Sequence, residues 1–186
     1  ILATYYASLF SANINKEQFE TRFQALANQT TLLIQEKLDR YPLLLKTTRG
    51  LVLNHLNDVE KHWPFYFEQA ALDFEANGII GITYTRYVPQ SNRQMFVDIQ
   101  RKIYGSDFRI FPDTLREDAF VLMHAAPDTI TQKVRGFDIG SESNRRFAAE
   151  RAKNSSSLAL SEPISLLPTD QQSLDYLFLL PVESPD

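Results

Sequence analysis

The stretch NINKEQFETRFQALANQTTLLIQEKLDRY, residues 13–41, contains neither glycine nor proline. Phe19, Phe23, Leu26, Thr30, Leu33, Leu38 and Tyr41 recur on it roughly every three to four residues, the period of one helix face. At about 1.5 Å per residue such a helix is some 40 Å long. That length limits the fold more than any other feature, because a helix this long outreaches an ordinary globular core. Its apolar stripe packs either on its own domain or on a second copy of itself. The repeat stays near seven over successive turns, which is the spacing of a dimeric stalk.

Pro42 lacks the N–H that would continue the helix, so the sequence predicts a kink or restart there. LLLKTTRGLVLNHL is apolar on almost every side and predicts a buried helix over about 43–55. Pro64 fits the first turn of a further helix, WPFYFEQAALDFEA, with Asn77-Gly78 as its C-cap. The Phe65, Tyr66 and Phe67 cluster on it reads as core. From Ile79 the period changes. IIGITYTRYV, rich in β-branched and aromatic residues, predicts a strand over 79–88. A helix over 91–104 follows, with Ser91 as cap and Gly105 at its end. FRIFP (108–112) and AFVLMHA (119–125) predict strands. A short helix, SESNRRFAAERAKN, has Ser141 or Ser143 as cap. SLALSE (157–162) and LDYLFLLPV (174–182) predict two more strands, joined by a turn over 168–173.

That order gives an α+β fold: a long N-terminal helix, then an antiparallel sheet with flanking helices. Three segments are expected. Residues 1–56 form the stalk and second helix, 57–182 the core domain, and 183–186 a truncated linker. With 44% hydrophobic and 12% aromatic residues the core is well supplied. Both ends read as cuts in a longer protein, so the lack of a membrane-spanning run does not argue against a membrane-bound parent.

The net charge of −4 offers no basic face for phosphate backbones, so no nucleic-acid partner is expected. The absence of cysteine removes thiol catalysis, disulfides and thiolate metal sites. Three histidines, His55, His62 and His124, form no HExxH and no i, i+4 pair, so neither metal nor cofactor is expected. No GxSxG, Walker A or GxGxxG run is present, and no enzyme is expected.

The succession FEQAALDFEANGIIGITYTRYVPQSNR, FRIFP, GFDIGSESNRRFAAERAKNSSSLALSEPISLL and LFLLPV resembles the CHASE domain. The resemblance covers about residues 65–182. It rests on the Gly-aromatic-Asp turn, the paired Arg145-Arg146, the ERA helix and the LS-x-P strand. It implies a PAS-like extracytoplasmic sensor, periplasmic or extracellular, in a membrane-anchored receptor with a histidine kinase or cyclase output. It also implies a homodimer joined through the N-terminal helix and a small-molecule ligand, adenine-like in the hormone-binding members. Asp138 matches the family aspartate that accepts hydrogen bonds from the ligand ring. Leu160 matches the strand residue whose main chain faces it, Ser161 a following threonine, and Ser155 a threonine needed for binding. Phe178 and Leu180 fall on the strand that closes the pocket. KNSSS, Asp175 and MHAAPD depart from the family pattern and leave the ligand's identity open.

The residues carry a second reading at several of these positions. Asp138 precedes a helix and could simply shape the turn. Arg145 and Arg146 point about 100° apart, so at most one should face inward, with Glu142–Arg146 as an exposed i, i+4 pair. His124, with Met123 beside it, lies in an apolar strand as a core histidine or a ligand contact. Thr83 alternates with Ile82 and Tyr84 and is a candidate pocket residue. The alternative function is a periplasmic module that binds a protein or peptide and has no small-molecule pocket.

Overall fold

The computed structural model describes residues 2–56, 58–70, 74, 78–113, 118–165 and 174–183. The elements run α1 (Leu2–Asn54), α2 (Val59–Ala70), β1 (Ile82–Val88), α3 (Arg93–Tyr104), β2 (Ala119–Ala126), α4 (Thr131–Val134), α5 (Ser143–Ser155), β3 (Ala159–Leu160) and β4 (Phe178–Leu179). This is the expected α+β architecture, a long helix followed by small antiparallel sheets flanked by helices. The chain divides into two compact units, residues 1–43 and 44–186. In the first, Phe19, Phe23, Leu26 and Leu33 are all more than half exposed.

α1 does not break at Pro42, contrary to the sequence expectation. The ring removes one N–H, and the carbonyl it would have met belongs to exposed Leu38, where water can serve it. α2 begins at Val59, so Pro64 sits inside it instead of opening it. The proposed Asn77 cap and the turn over 168–173 lie outside the described residues.

In the second unit β1 pairs antiparallel with β2. β2 is buried along its whole length. Ala119, Val121 and Met123 pack with Val88, Phe96, Phe108 and Ile110 against α3. Phe120, Leu122 and Ala125 pack with Ile139 and Ala149 toward α5. The register slips between Tyr84 and Thr85: Tyr84 pairs with His124, but Thr85 pairs with Leu122. Met123 is therefore an extra residue, and the alternation reverses after it. Without this bulge Ala125 would share a face with Val121 and Met123. With it, Ala125 turns to the α5 side, while Ala126 joins Val52, Val59, Trp63, Phe67 and Ile82 in a third cluster.

Expected strands are shorter than the sequence suggested. FRIFP forms a single bridge, Phe111 with Phe137, and the last two strands pair over two residues each, extended by an Ile164–Asp175 bridge. α3 ends at Gly105 as expected, with φ +102°, but Ser91 does not cap it and a 3₁₀ turn over Gln90–Asn92 leads in. Phe67 is core, whereas Phe65 is exposed.

Candidate functional site

Gly136 has φ +91°, and a Cβ there would run into the Arg109 carbonyl oxygen, so only glycine lets the two segments meet. Its N–H donates to the Leu122 carbonyl (2.8 Å), and the Leu122 N–H donates to the Phe137 carbonyl (2.9 Å). On the outer side, the Phe111 N–H donates to the Gly136 carbonyl (2.9 Å) and the Asp138 N–H to the Phe111 carbonyl (2.7 Å). Residues 136–138 are thus held between β2 and Phe111.

At Asp138 the main chain leaves the sheet for a 3₁₀ turn over Ile139–Ser141. The carboxylate continues the ladder in its place. Oδ1 accepts from the N–H groups of Phe120 and Gly140, both at 2.9 Å. Asp138 is 0% exposed, and its buried Oδ2 meets no hydrogen-bond donor among the described residues. Gly140 packs closely over this carboxylate. A Cβ on it would stand 3.1 Å from Asp138 Oδ1, 3.1 Å from the Phe120 ring and 3.2 Å from Arg146 Nη1. The acid does shape the turn, as one reading of the sequence held. It does so with one oxygen, and a buried acceptor without a donor is costly.

α5 follows directly. Glu142, not a serine, caps it, accepting from the N–H groups of Asn144 and Arg145 at 2.9 Å each. That carboxylate is therefore committed, and the expected Glu142–Arg146 pair does not form. Arg146 instead pairs with Asp118 and with Glu150 (2.7 Å). Arg145 donates to the Ser165 carbonyl (2.6 Å) and lies over the Phe137 ring. Both arginine side chains are tucked in, at 10% and 17% exposure, where at most one was expected. The 100° between them suffices because α5 is flanked on both sides, so each guanidinium finds a carbonyl or carboxylate.

β3 and β4 bring four of the expected residues together. Leu160 pairs with Phe178. Ser161 donates its N–H to the Leu177 carbonyl (2.9 Å), and its hydroxyl accepts from the Leu177 N–H (2.9 Å), extending that ladder by a side chain. The Leu160 carbonyl accepts from Arg151 on α5. Leu180, half-buried, follows β4. Ser155 stands at the exposed end of α5, bonded to the Arg151 carbonyl at 2.7 Å. α5 packs against both the Ile139–Ser141 turn and β3.

Met123 and His124 sit elsewhere, toward α2 and α3, and Thr83 is exposed. The His124 ring stacks on Tyr84 (6.3 Å between centroids), tilts against Trp63 (6.0 Å) and meets the edge of Tyr104 (6.4 Å). Arg135 lies over Tyr104 and donates to the Met123 carbonyl (3.1 Å). Burial, with the Arg135 charge, pushes His124 down to about 4, so it is neutral at pH 7. Trp63, Tyr104 and Arg135 went unnoticed in the sequence. They lie tens of positions apart and carry no spacing signal.

A family model described as the CHASE domain matches residues 60–186. The chain belongs to the CHASE domain family. CHASE domains are extracytoplasmic sensor domains of signalling receptors; they bind small molecules and are not catalytic. No curated protein matches the chain. All the expected site residues, Thr83 to Leu180, fall inside the CHASE match. Among the described residues no helix is long and apolar enough to cross a membrane.

Proposed function

We propose that this CHASE domain senses a small molecule carrying N–H donors, an adenine-like ring being the simplest, and that Asp138 reads it. One observation carries the reading: Oδ2 of a fully buried carboxylate has no donor among the described residues, while Oδ1 is held by two. A ligand N–H would restore the missing bond, and a ligand without one would leave the cost in place. In this reading the Leu160 main chain, Ser161, Phe178 and Leu180 contribute to the same site from the β3–β4 side. Because Oδ2 is closed off, the ligand reaches it in a second arrangement of the domain. Its preference for that arrangement is the energy available for signalling.

The signal passes through paired N-terminal helices to a cytoplasmic kinase or cyclase of the membrane-anchored parent. Phe19, Phe23, Leu26 and Leu33, exposed at steps of four, three and seven, suit a helix–helix seam. Leu26→Glu should convert a dimer to a monomer in analytical ultracentrifugation, and a monomeric wild-type chain would remove the pairing.

The binding test is a thermal-shift screen against purines, cytokinins, amino acids and small carboxylates, on the wild-type chain and on Asp138→Asn. Asparagine keeps the Oδ1 acceptor for Phe120 and Gly140 but turns the Oδ2 position into a donor. A ligand at 100 times its dissociation constant adds about 2.7 kcal/mol to the wild type. The expected result is a hit that Asp138→Asn loses while its ligand-free melting stays close to wild type. A hit retained at full strength by Asp138→Asn would move the site away from Asp138.

A further inference from the structure

We infer that His55, Asp58 and His62 form a transition-metal site at the joint between α1 and α2, separate from Asp138. His55 follows the end of α1, Asp58 precedes α2, and His62 lies in the first turns of α2. The link between them is compact: the Asp58 N–H donates to the His55 carbonyl and the Lys61 N–H to the Asp58 carbonyl, both at 3.0 Å. Val52, Val59 and Trp63 are buried at 1–3% exposure on the same joint, which fixes the backbone that carries the three side chains.

The three side chains lie together. The two imidazoles stack with centroids 3.7 Å apart and planes 22° from parallel, so one ring has to turn for both in-plane lone pairs to meet one ion. His62 Nε2 lies 3.2 Å from Asp58 Oδ2, and His55 Nδ1 lies 3.6 Å from Asp58 Oδ1. One ligand atom from each residue falls within 4.8 Å of the other two. Tetrahedral zinc, with bonds of about 2.0–2.2 Å, sets its ligand atoms about 3.4 Å apart; the two nitrogen–oxygen separations, each to a different oxygen of Asp58, lie on either side of that value. The 3.6 Å separation is too long for a hydrogen bond, so the carboxylate alone does not bond both rings. A cation placed among the three would engage all of them once one ring turns out of the stack.

Two imidazoles and one carboxylate suit zinc, nickel or copper, whereas calcium and magnesium take oxygen ligands. The side chains are 33–39% exposed, so the ion can enter and water can complete its coordination. Bound there, it would clamp the end of α1 to α2. The sequence search for HExxH or an i, i+4 histidine pair missed this set because it straddles two helices. His-x2-Asp-x3-His converges only once the joint has folded.

The test is calorimetric titration of the tag-free full chain with zinc chloride, with calcium chloride as control, on the wild type and on His55→Gln, His62→Gln and Asp58→Asn. The expected result is one zinc per chain, with affinity at least about tenfold weaker in each histidine variant. A zinc-dependent rise in melting temperature should be seen in the wild type alone. Failure of the wild-type chain to bind zinc at micromolar concentrations would overturn the site. So would unchanged zinc binding in the His55→Gln/His62→Gln double variant, or calcium binding as tight as zinc.

Discussion

Two of the buried polar side chains at β2, Asp138 and His124, are surrounded in opposite ways. At the start of the strand, the Phe120 N–H is held by Asp138, whose carboxylate receives two main-chain donors and keeps one oxygen unbonded. Four residues on, His124 is packed among Trp63, Tyr84 and Tyr104, with the Tyr104 hydroxyl 3.5 Å from its ring nitrogen. The first group has hydrogen-bonding capacity to spare, and the second has been made neutral by its surroundings. Burial alone therefore does not mark a ligand-reading atom. The proposed reading of Asp138 rests on its unbonded oxygen in a fixed frame, and the Nε1 of Trp63, beside His124, is likewise buried without a partner among the described residues.

The largest effect is expected on the His124 side. Trp63→Ala removes the fully buried ring that α2 places against Tyr84 and His124. The loss should be about 3–5 kcal/mol in urea unfolding. A loss below about 1 kcal/mol would mean that the aromatic packing is not what holds His124. On the Asp138 side, Asp138→Ala leaves two buried N–H groups without an acceptor, at about 1–3 kcal/mol apiece. We expect a total near 3 kcal/mol, against about 1 kcal/mol or less for Asp138→Asn. Equal losses in the two variants would show that Oδ1 is not the structural oxygen.

The third prediction uses pH. His124 in the unfolded chain takes up a proton near its ordinary 6.5, but in the folded protein only near 4. Between those values the unfolded state binds more protons, so stability falls as pH drops from about 6.5 toward 4. Above 6.5 this contribution does not vary. The fall should amount to about 2–3 kcal/mol, and it should be absent from His124→Phe when the two unfolding curves are subtracted. A parallel pH dependence in the two proteins would contradict a neutral buried imidazole.

The smallest effect concerns α5, the helix beside Asp138. Glu142→Ala should cost about 1 kcal/mol as a lost N-cap, while Ser141→Ala and Ser143→Ala stay within about 0.5 kcal/mol. The reverse order would return the cap to a serine and release Glu142 to pair with Arg146.

Much of the frame was legible because it depends on local chemistry. The helical period of residues 13–41, the change to β-branched alternation at Ile79, the Gly105 stop and the apolar run of β2 each survive in the structure near their expected places. The capping of α5 was misread because Glu142 and its serine neighbours are all competent caps. The choice was settled by which side chain reaches two N–H groups at once. FRIFP was read as a strand because its residues suit one. It forms only a bridge, since the segment beside it, Phe137–Asp138, leaves the sheet after two residues.

The sequence by itself determined the fold class, the family and the identity of the acid in the Gly-Phe-Asp turn, because periodicity, turn chemistry and short motifs are local. Only the tertiary structure decided what surrounds that acid. The unbonded Oδ2, the reversal of β2 at Met123, the aromatic set around His124 and the meeting of His55, Asp58 and His62 all depend on which elements pack together. Residues far apart in the chain, or on two different helices, acquire common chemistry only when burial and register fix their separation.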